Sequence, residues 1–233
     1  MSRAELAALT AEIVGCRRCP RLVAWREQVA REKVARFRDQ TYWGRPVPGF
    51  GDPDAHLLIV GLAPAAHGGN RTGRVFTGDA SGDFLFEAMH WVGLANQSTG
   101  RRSGDGLALI DAYIAAAVRC APPANKPTPW ERDACAPYLA RELAALEQVR
   151  VLVPLGAYAW AAAFRAITSV AGDVAGSRPR PRFGHGAEAR VGRFEVVGSY
   201  NPSQQNTFTR KLTQPMLRAV LARAQELAGG SSS

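Results

Sequence analysis

The sequence lacks any apolar run near the roughly 18–20 residues that a membrane-spanning helix requires. Residues 1–6 also lack the basic-then-apolar order of a secretory signal. Glycine (23) and proline (15) are too few for a low-complexity or collagen-like chain, and 46% hydrophobic residues is ordinary for a globular protein. These absences exclude a disordered, fibrous or membrane-spanning protein, and we expect a soluble intracellular one.

Acidic residues are scarce relative to basic ones. The chain has 20 Asp and Glu against 29 Lys and Arg, which gives a formal net charge of +9. Such an excess favours a polyanionic partner, of which nucleic acid is the commonest. Arginine far outnumbers lysine, so a general arginine bias of the source proteome is the alternative explanation of the charge.

Short apolar runs alternate with helix-like stretches along most of the chain. Four runs are typical of strands, at residues 56–61, 113–118, 151–155 and 194–199, and helices are predicted at residues 82–92, 131–146, 157–167 and 215–227. Two further helices fall within residues 4–38, and residues 229–233 have the composition of a flexible tail. The alternation predicts an α/β fold with a parallel sheet covered on both faces. Ligands of such folds bind beyond the carboxyl ends of the strands.

The sequence has only four cysteines: Cys16, Cys19, Cys120 and Cys135. Disulfides are not expected in an intracellular protein, and a C-x2-C pair followed by two more cysteines suits a metal. Spacing alone leaves zinc and a [4Fe–4S] cluster open, since each takes four thiolates. Four unrelated buried cysteines are the structural alternative.

A glycine-rich segment, residues 61–82, follows the first predicted strand. It matches neither the G-x4-G-K-[ST] phosphate loop nor the G-x-G-x-x-G dinucleotide pattern. Its acid, Asp79, precedes a predicted helix, so the carboxylate can be an N-cap or a catalytic group. Phe76 can likewise be a core residue or a binding residue.

Four segments of the chain and an early pair of cysteines carry a family resemblance. Residues 61–74, followed by Phe76-Thr77-Gly78-Asp79, resemble the first motif of the family 5 (type B) uracil-DNA glycosylases. The similarity extends to residues 119–127, to residues 202–207, to residues 45–53 and to the early pair Cys16 and Cys19. The sister family 4 usually has Glu in place of Leu62 or Ala63, so the apolar residues here favour family 5.

The resemblance implies a three-layer α/β/α sandwich with a central four-stranded parallel sheet, in a single glycosylase domain over residues 1–228. It also implies a [4Fe–4S] cluster on Cys16, Cys19, Cys120 and Cys135. The implied activity is hydrolysis of the N-glycosidic bond of uracil in DNA, and of other deaminated bases such as hypoxanthine, which leaves an abasic site. The implied partner is damaged DNA, with no membrane, and we expect a monomer in the cytoplasm, at a bacterial or archaeal nucleoid.

The same resemblance implies roles for residues of the first two motifs. Phe76 would stack on the extruded base, while backbone amides around Gly61, Leu62 and Ala63 would bind the base edge. Asp79 would stabilise the cationic sugar and orient the attacking water, because negative charge beside that cation lowers the barrier. Asn125 would help to position the carboxylate or the water.

The third motif departs from the family pattern. Asn201 stands where the family normally has a His that donates a hydrogen bond to the departing base. An amide can donate too, but it differs in length and cannot carry charge. The segment that family members insert into DNA corresponds to Ser203, Gln204, Gln205 and Asn206, and Arg210 follows it as a phosphate contact.

Two other functions compete with the glycosylase at this point. A weakly active or non-catalytic DNA-damage-binding relative would keep the pocket and lose turnover through Asn201. An electron-transfer protein would use the cluster itself, although ferredoxin-type proteins space their cysteines far more densely. An assay for abasic product separates the first alternative from the enzyme.

Overall fold

The computed structural model describes residues 3–172 and 181–229 of the chain. The helices are α1 (Arg3–Gly15), α2 (Pro20–Glu32), α3 (Gly69–Thr72), α4 (Ala80–Trp91), α5 (Pro129–Ala145), α6 (Ala157–Ala171), α7 (Gln204–Phe208) and α8 (Gln214–Gly229). The strands are β1 (Phe50–Gly51), β2 (Leu57–Gly61), β3 (Ala112–Ala116), β4 (Val151–Pro154), β5 (Glu188–Val191) and β6 (Phe194–Val197). Short 3-10 turns lie at Ala35–Phe37 and Pro123–Asn125. Of the predicted tail, Gly229 ends α8 and residues 230–233 lie outside the described residues.

The strands of the described residues form one sheet in the order β1-β3-β2-β4-β6-β5. Its four central strands, β3, β2, β4 and β6, are parallel and correspond to the four predicted runs. The edge strands β1 and β5 pair antiparallel with their neighbours and were not predicted. β1 has only two residues, and β5 alternates exposed with half-buried positions, so neither carries the continuous apolar run of a strand buried on both faces.

The residues of β2 show how the sheet is covered on two faces. Leu57 and Ile59 belong to the apolar core that contains the buried faces of α4 and α8. Leu58 and Val60 belong to the core that contains the buried faces of α5 and α6. Because successive side chains of a strand point to opposite faces, this alternation places helices on both sides of the sheet. The predicted three-layer α/β/α arrangement is confirmed.

The two N-terminal helices pack against a third apolar core beside the sheet. This core contains Leu9 and Ile13 of α1, Leu22 of α2, and three of the four cysteines. It includes Val118, which follows β3, and Tyr138 of α5. The N-terminal segment is therefore joined to the carboxyl end of the sheet around the cysteines. Among the described residues, no helix is long and apolar enough to cross a membrane.

Candidate active site and cysteine site

The segments that follow β2, β4 and β6 meet at the carboxyl edge of the sheet. The Leu155 amide donates to the Val60 carbonyl over 2.8 Å, and the Gly156 amide donates to the Ser199 carbonyl over 2.7 Å. Beyond these bonds lies a cavity of about 290 Å³, lined among others by Leu62, Tyr158, Asn201 and Asn206. Residues of the first and third sequence motifs thus border one cavity, at the position where this class of fold binds its ligands.

Phe76 lies against the end of β2. A Cβ built on Gly61 would be only 2.7 Å from the Phe76 ring, so the ring makes a close approach that only glycine permits at this position. Phe76 itself has a positive φ of 51°, which is uncommon for a residue other than glycine. The ring is partly buried in the core on the α4 and α8 face. The structure therefore brings together two of the predicted base-binding residues.

Asp79 is the N-cap of α4. Its Oδ1 accepts the Gly82 amide over 3.0 Å, so the capping alternative drawn from the sequence is confirmed. The carboxylate also packs on the first motif, because a Cβ on Gly68 would overlap Asp79 Oδ2. Burial raises the pKa of Asp79, an effect that the backbone amides of Gly82 and Ser81 only partly offset. A buried carboxylate with a raised pKa can act as a catalytic group as well as an N-cap.

Two arginines hold the glycine-rich segment in shape. Arg71 donates to the His67 carbonyl and to the Gly78 carbonyl, each over 2.8 Å. Arg74 pairs with Asp105 through Nη2, which donates to both carboxylate oxygens, at 2.8 and 2.9 Å. Burial alone would raise the pKa of Asp105, but the Arg102 amide and the Arg74 guanidinium lower it to about 2. Asp105 was missed by sequence reasoning because it lies 31 residues from its partner.

The third motif forms the other wall of the cavity. The Asn206 side-chain amide donates to the Asn201 carbonyl over 2.9 Å, and Ser203 caps α7 by accepting the Asn206 amide. Among the described residues, the Asn201 side-chain amide has no hydrogen-bond partner, which leaves it free toward a ligand. Lys211 also lines the cavity, and its ammonium lies 5.0 Å from the ring centre of Tyr200.

Phe208, near this wall, was not predicted from the sequence, and Asn125 was predicted but lies apart from Asp79. Phe208, at the end of α7, is a large apolar side chain that is 78% exposed. Nothing in the sequence separates such a residue from an ordinary core phenylalanine. Asn125 is exposed at the end of the 3-10 turn after Cys120, with a φ of 55°, and no hydrogen bond joins it to Asp79 in the described residues.

The four cysteines line one cavity between α1, α2, α5 and the segment after β3. All four are free thiols, and Cys19, Cys120 and Cys135 are buried. Burial raises the pKa of Cys120 to about 11 and that of Cys135 to about 12. Arg26 nevertheless donates to Cys120 Sγ over 2.8 Å, and the Arg119 amide donates to Cys135 Sγ over 3.3 Å. The four cysteines therefore lie together, as a shared metal or cluster would require.

The donor set of this cavity is compatible with a thiolate-bound metal group. Among the described residues, no group of three or more His, Cys, Asp or Glu side chains is placed to hold a single metal ion. The four cysteines line one cavity, and two N–H groups donate to their sulfurs, as they also can in iron–sulfur sites. We refer to Cys16, Cys19, Cys120, Cys135 and this cavity as the cysteine site.

Two residues connect the active-site cavity with the apolar core around the cysteine site. Ala63, directly after Leu62, packs against the apolar core of the cysteine site, and so does Tyr158, which lines the 290 Å³ cavity. A group bound by the cysteines would therefore support the loop that follows β2. No pattern in the sequence predicted the role of Tyr158, which belongs to no motif.

The fold and these sites define a class of α/β proteins with a ligand cavity at the carboxyl edge of a parallel sheet and a thiolate site behind it. Comparison with known sequences assigns the class: residues 48–225 match the uracil DNA glycosylase superfamily. The chain belongs to this superfamily and, within it, to the type-5 uracil-DNA glycosylases.

Full-length similarity to curated relatives supports that assignment. The chain is 50% identical over 227 residues to the type-5 uracil-DNA glycosylase of Mycobacterium tuberculosis, covering 97% of this chain and 82% of the relative. It is 50% identical over 223 residues to that of Mycobacterium leprae, covering 95% of each. It is 49% identical over 223 residues to that of Thermus thermophilus, covering 95% of this chain and 98% of the relative.

Proposed function

We propose that this protein excises uracil, and other deaminated bases such as hypoxanthine, from DNA by hydrolysis of the N-glycosidic bond, leaving an abasic site. One observation carries the proposal. Leu62 of the first motif and Asn201 and Asn206 of the third motif, which are far apart in the sequence, border a single cavity of about 290 Å³. A cavity of this size and position suits one extruded nucleobase.

Binding of the base uses groups that surround the end of β2. The Phe76 ring is held by Gly61 and offers one face for stacking on a flipped base. The backbone around Leu62 and Ala63 supplies hydrogen-bonding groups without a side-chain acid. A site that hydrogen-bonds the base edge through backbone groups tolerates more than one deaminated base, since it has no charged side chain that would disfavour a base with a different arrangement of hydrogen-bond donors.

Cleavage of the N-glycosidic bond leaves a cationic sugar and an anionic base, and the site has one group that can stabilise each of them. Asp79 places a carboxylate where a cationic sugar forms and can orient the attacking water. The free amide of Asn201 can donate to the departing anionic base. Asn125, in the loop after Cys120, would help to position Asp79 or the water.

Contact with DNA is assigned to the segment after β6. Ser203, Gln204, Gln205 and Asn206 lie at the start of α7, and the exposed Phe208 ring at its end is suited to fill a gap between base pairs. Arg210 and Lys211 follow as phosphate contacts. The formal net charge of +9 favours binding to a polyanion.

A [4Fe–4S] cluster is the group that we propose for the cysteine site. Cys16, Cys19, Cys120 and Cys135 would be its ligands. When bound, it joins the turn between α1 and α2 to α5 and to the loop after β3, which also supports Ala63 behind the base site. The cluster has a structural role in this proposal, and no step of the excision passes through it.

Anaerobically purified protein is expected to be brown, with about four irons per chain and broad absorbance near 400 nm, as thiolate-bound clusters show. Metal analysis together with the visible spectrum checks this expectation. One zinc per chain and no iron would contradict the cluster. A Cys135→Ser variant serves as the control, because loss of one ligand should lower the iron content without affecting DNA-binding side chains.

The test of the function is cleavage of duplexes that contain one uracil, hypoxanthine, xanthine or thymine. We expect the uracil duplex to yield an abasic site that alkali converts to a strand break, with no product from the thymine duplex. Binding of uracil DNA without abasic product would overturn the enzyme and favour a damage-binding protein. The same samples on a sizing column test the monomer that we propose.

Residues 1–228 are proposed to act as one glycosylase domain. The superfamily match begins at residue 48, but the turn between α1 and α2 carries two of the four cysteines, and these helices pack against Val118 and Tyr138. The N-terminal helices are therefore needed to complete the cysteine site. Because the substrate is DNA, we place the protein at the nucleoid of a bacterial or archaeal cell.

A further inference from the structure

Two arginines are buried beside the cysteine site, and only one of them has a close carboxylate partner. Arg119 is 1% exposed and pairs with the buried Glu142 through both guanidinium nitrogens. Arg26 is 2% exposed, and the only carboxylate within 4.0 Å of it among the described residues is that of Glu27, at the 4.0 Å limit. A guanidinium cannot lose its proton in a protein, so burying it without an anion is costly.

The atoms around Arg26 show where a compensating charge would lie. Its Nη1 donates to Cys120 Sγ over 2.8 Å, and its Nη2 donates to the Cys16 carbonyl over 3.2 Å. Its Nε is buried and has no hydrogen-bond partner in the described part of the chain. The guanidinium thus contacts the sulfur of Cys120 and the backbone carbonyl of Cys16. A thiolate is a far stronger acceptor than a neutral thiol, and charge-assisted hydrogen bonds are the strong ones.

We propose that Arg26 is the internal counter-charge of the cysteine site and a positioning residue for its cluster, which it stabilises through the hydrogen bond to the Cys120 thiolate. This inference rests on the proposed [4Fe–4S] cofactor. A [4Fe–4S]²⁺ core with four thiolates has a net charge of −2, and one added electron makes it −3. A fixed positive charge in contact with a ligand sulfur favours the more negative state, and hydrogen bonds to sulfur tune the reduction potential.

The backbone of Arg26 has a separate contact with the base-binding loop. Asn70, fully buried in α3 of the first motif, donates its side-chain amide to the Arg26 carbonyl over 3.1 Å. A substitution of the Arg26 side chain leaves this carbonyl in place. The effect of the guanidinium on the cluster can therefore be measured apart from the geometry of the active site.

The test compares Arg26→Met, Arg26→Lys and wild type, all prepared anaerobically, with Arg31→Met as the matched control. Arg31 is an exposed arginine on the same helix, so its removal takes away the same charge without touching the cysteines. The readouts are the reduction potential of the cluster by film voltammetry and the rate of iron release to a chelator. Both are independent of base excision.

We expect Arg26→Met to lower the ratio of reduced to oxidised cluster at a fixed potential at least tenfold, which is a shift of about 59 mV in the negative direction for one electron. Iron release should be at least tenfold faster. Arg26→Lys keeps the charge and loses the planar guanidinium, so its reduction potential and iron-release rate should lie between those of Arg26→Met and wild type. Both quantities should be the same for Arg31→Met and wild type.

The possible failures are distinguishable. Wild-type protein without iron would overturn the cofactor, whereas iron-loaded wild type with Arg26→Met at the same potential and release rate would overturn the role of Arg26 alone. If folded Arg26→Met retains no iron, retention by Arg26→Lys supports the counter-charge. Loss of iron from both variants would show that packing, and not charge, is what Arg26 contributes.

Discussion

Asp79→Asn is expected to reduce single-turnover excision of uracil by about 10²–10³-fold, the usual effect of removing one group that stabilises charge in a transition state. The amide keeps the shape of the side chain and removes the negative charge beside the sugar cation. Binding of an uncleavable uracil analogue in DNA should change little. Because Asn and Asp are nearly equal as N-caps, the hydrogen bond to the Gly82 amide is retained.

The same variant separates catalysis from stability. Burial raises the pKa of Asp79 above its ordinary value, so the folded protein holds this proton more tightly than the unfolded chain. The stabilisation is complete below the unfolded pKa of about 3.9 and is lost as the pH rises through the folded pKa. At neutral pH the charged carboxylate therefore opposes folding.

Asp79→Asn should accordingly unfold at a temperature equal to or above that of wild type at pH 7, as measured by differential scanning calorimetry. The acidic limb of the wild-type pH–rate profile should lie above the ordinary aspartate value, since excision requires the ionised form. Unimpaired cleavage by Asp79→Asn would return the residue to a purely capping role and transfer the catalytic assignment to the backbone and Asn125.

Asn201→His is expected to raise the rate of uracil excision about tenfold or more, which corresponds to about 1.4 kcal/mol of barrier. Asn201 lines the cavity with a free amide, where a longer neutral imidazole can place one donor nearer to the base. The gain should appear in single-turnover cleavage and not in affinity for uncleavable DNA, because the charge on the departing base develops only in the transition state.

Uracil should benefit more than hypoxanthine from this change, since a departing purine spreads its charge over a different edge. An Asn201→Gln variant controls for side-chain length without an imidazole. A rate that is unchanged or lower with His would mean that Asn201 is adapted to this pocket. The explanation of Asn201 as a weakening substitution would then fail.

Sequence patterns located most of the sheet and the main helices. The four parallel strands are buried on both faces, so each appears as a continuous apolar run, such as residues 57–60. Edge strands have no such run. β5 carries Glu and Arg toward solvent and pairs only with β6, so its pairing depends on a neighbour and not on its own composition.

The candidate site was predicted where its residues form contiguous motifs. Phe76 and Asp79 lie within one glycine-rich segment, and the cysteines could be grouped because the chain contains so few. The residues that were missed act over long distances in the sequence. Asp105 pairs with Arg74, and Arg26 reaches a sulfur 94 residues away. Tyr158 lines the active-site cavity and packs against the core that holds the cysteines.

Apolar periodicity and local motifs indicate the class of fold, the family and the residue types available for chemistry, because each can be recognised within a short stretch of sequence. Which charges are buried, and which groups neutralise them, depends on the tertiary structure. Arg26 and Arg119 are the same residue type and nothing in the sequence separates them, yet Arg119 faces a carboxylate and Arg26 faces a cysteine. Desolvation and pairing depend on every atom around a group, and those atoms come from elements that only the folded chain brings together.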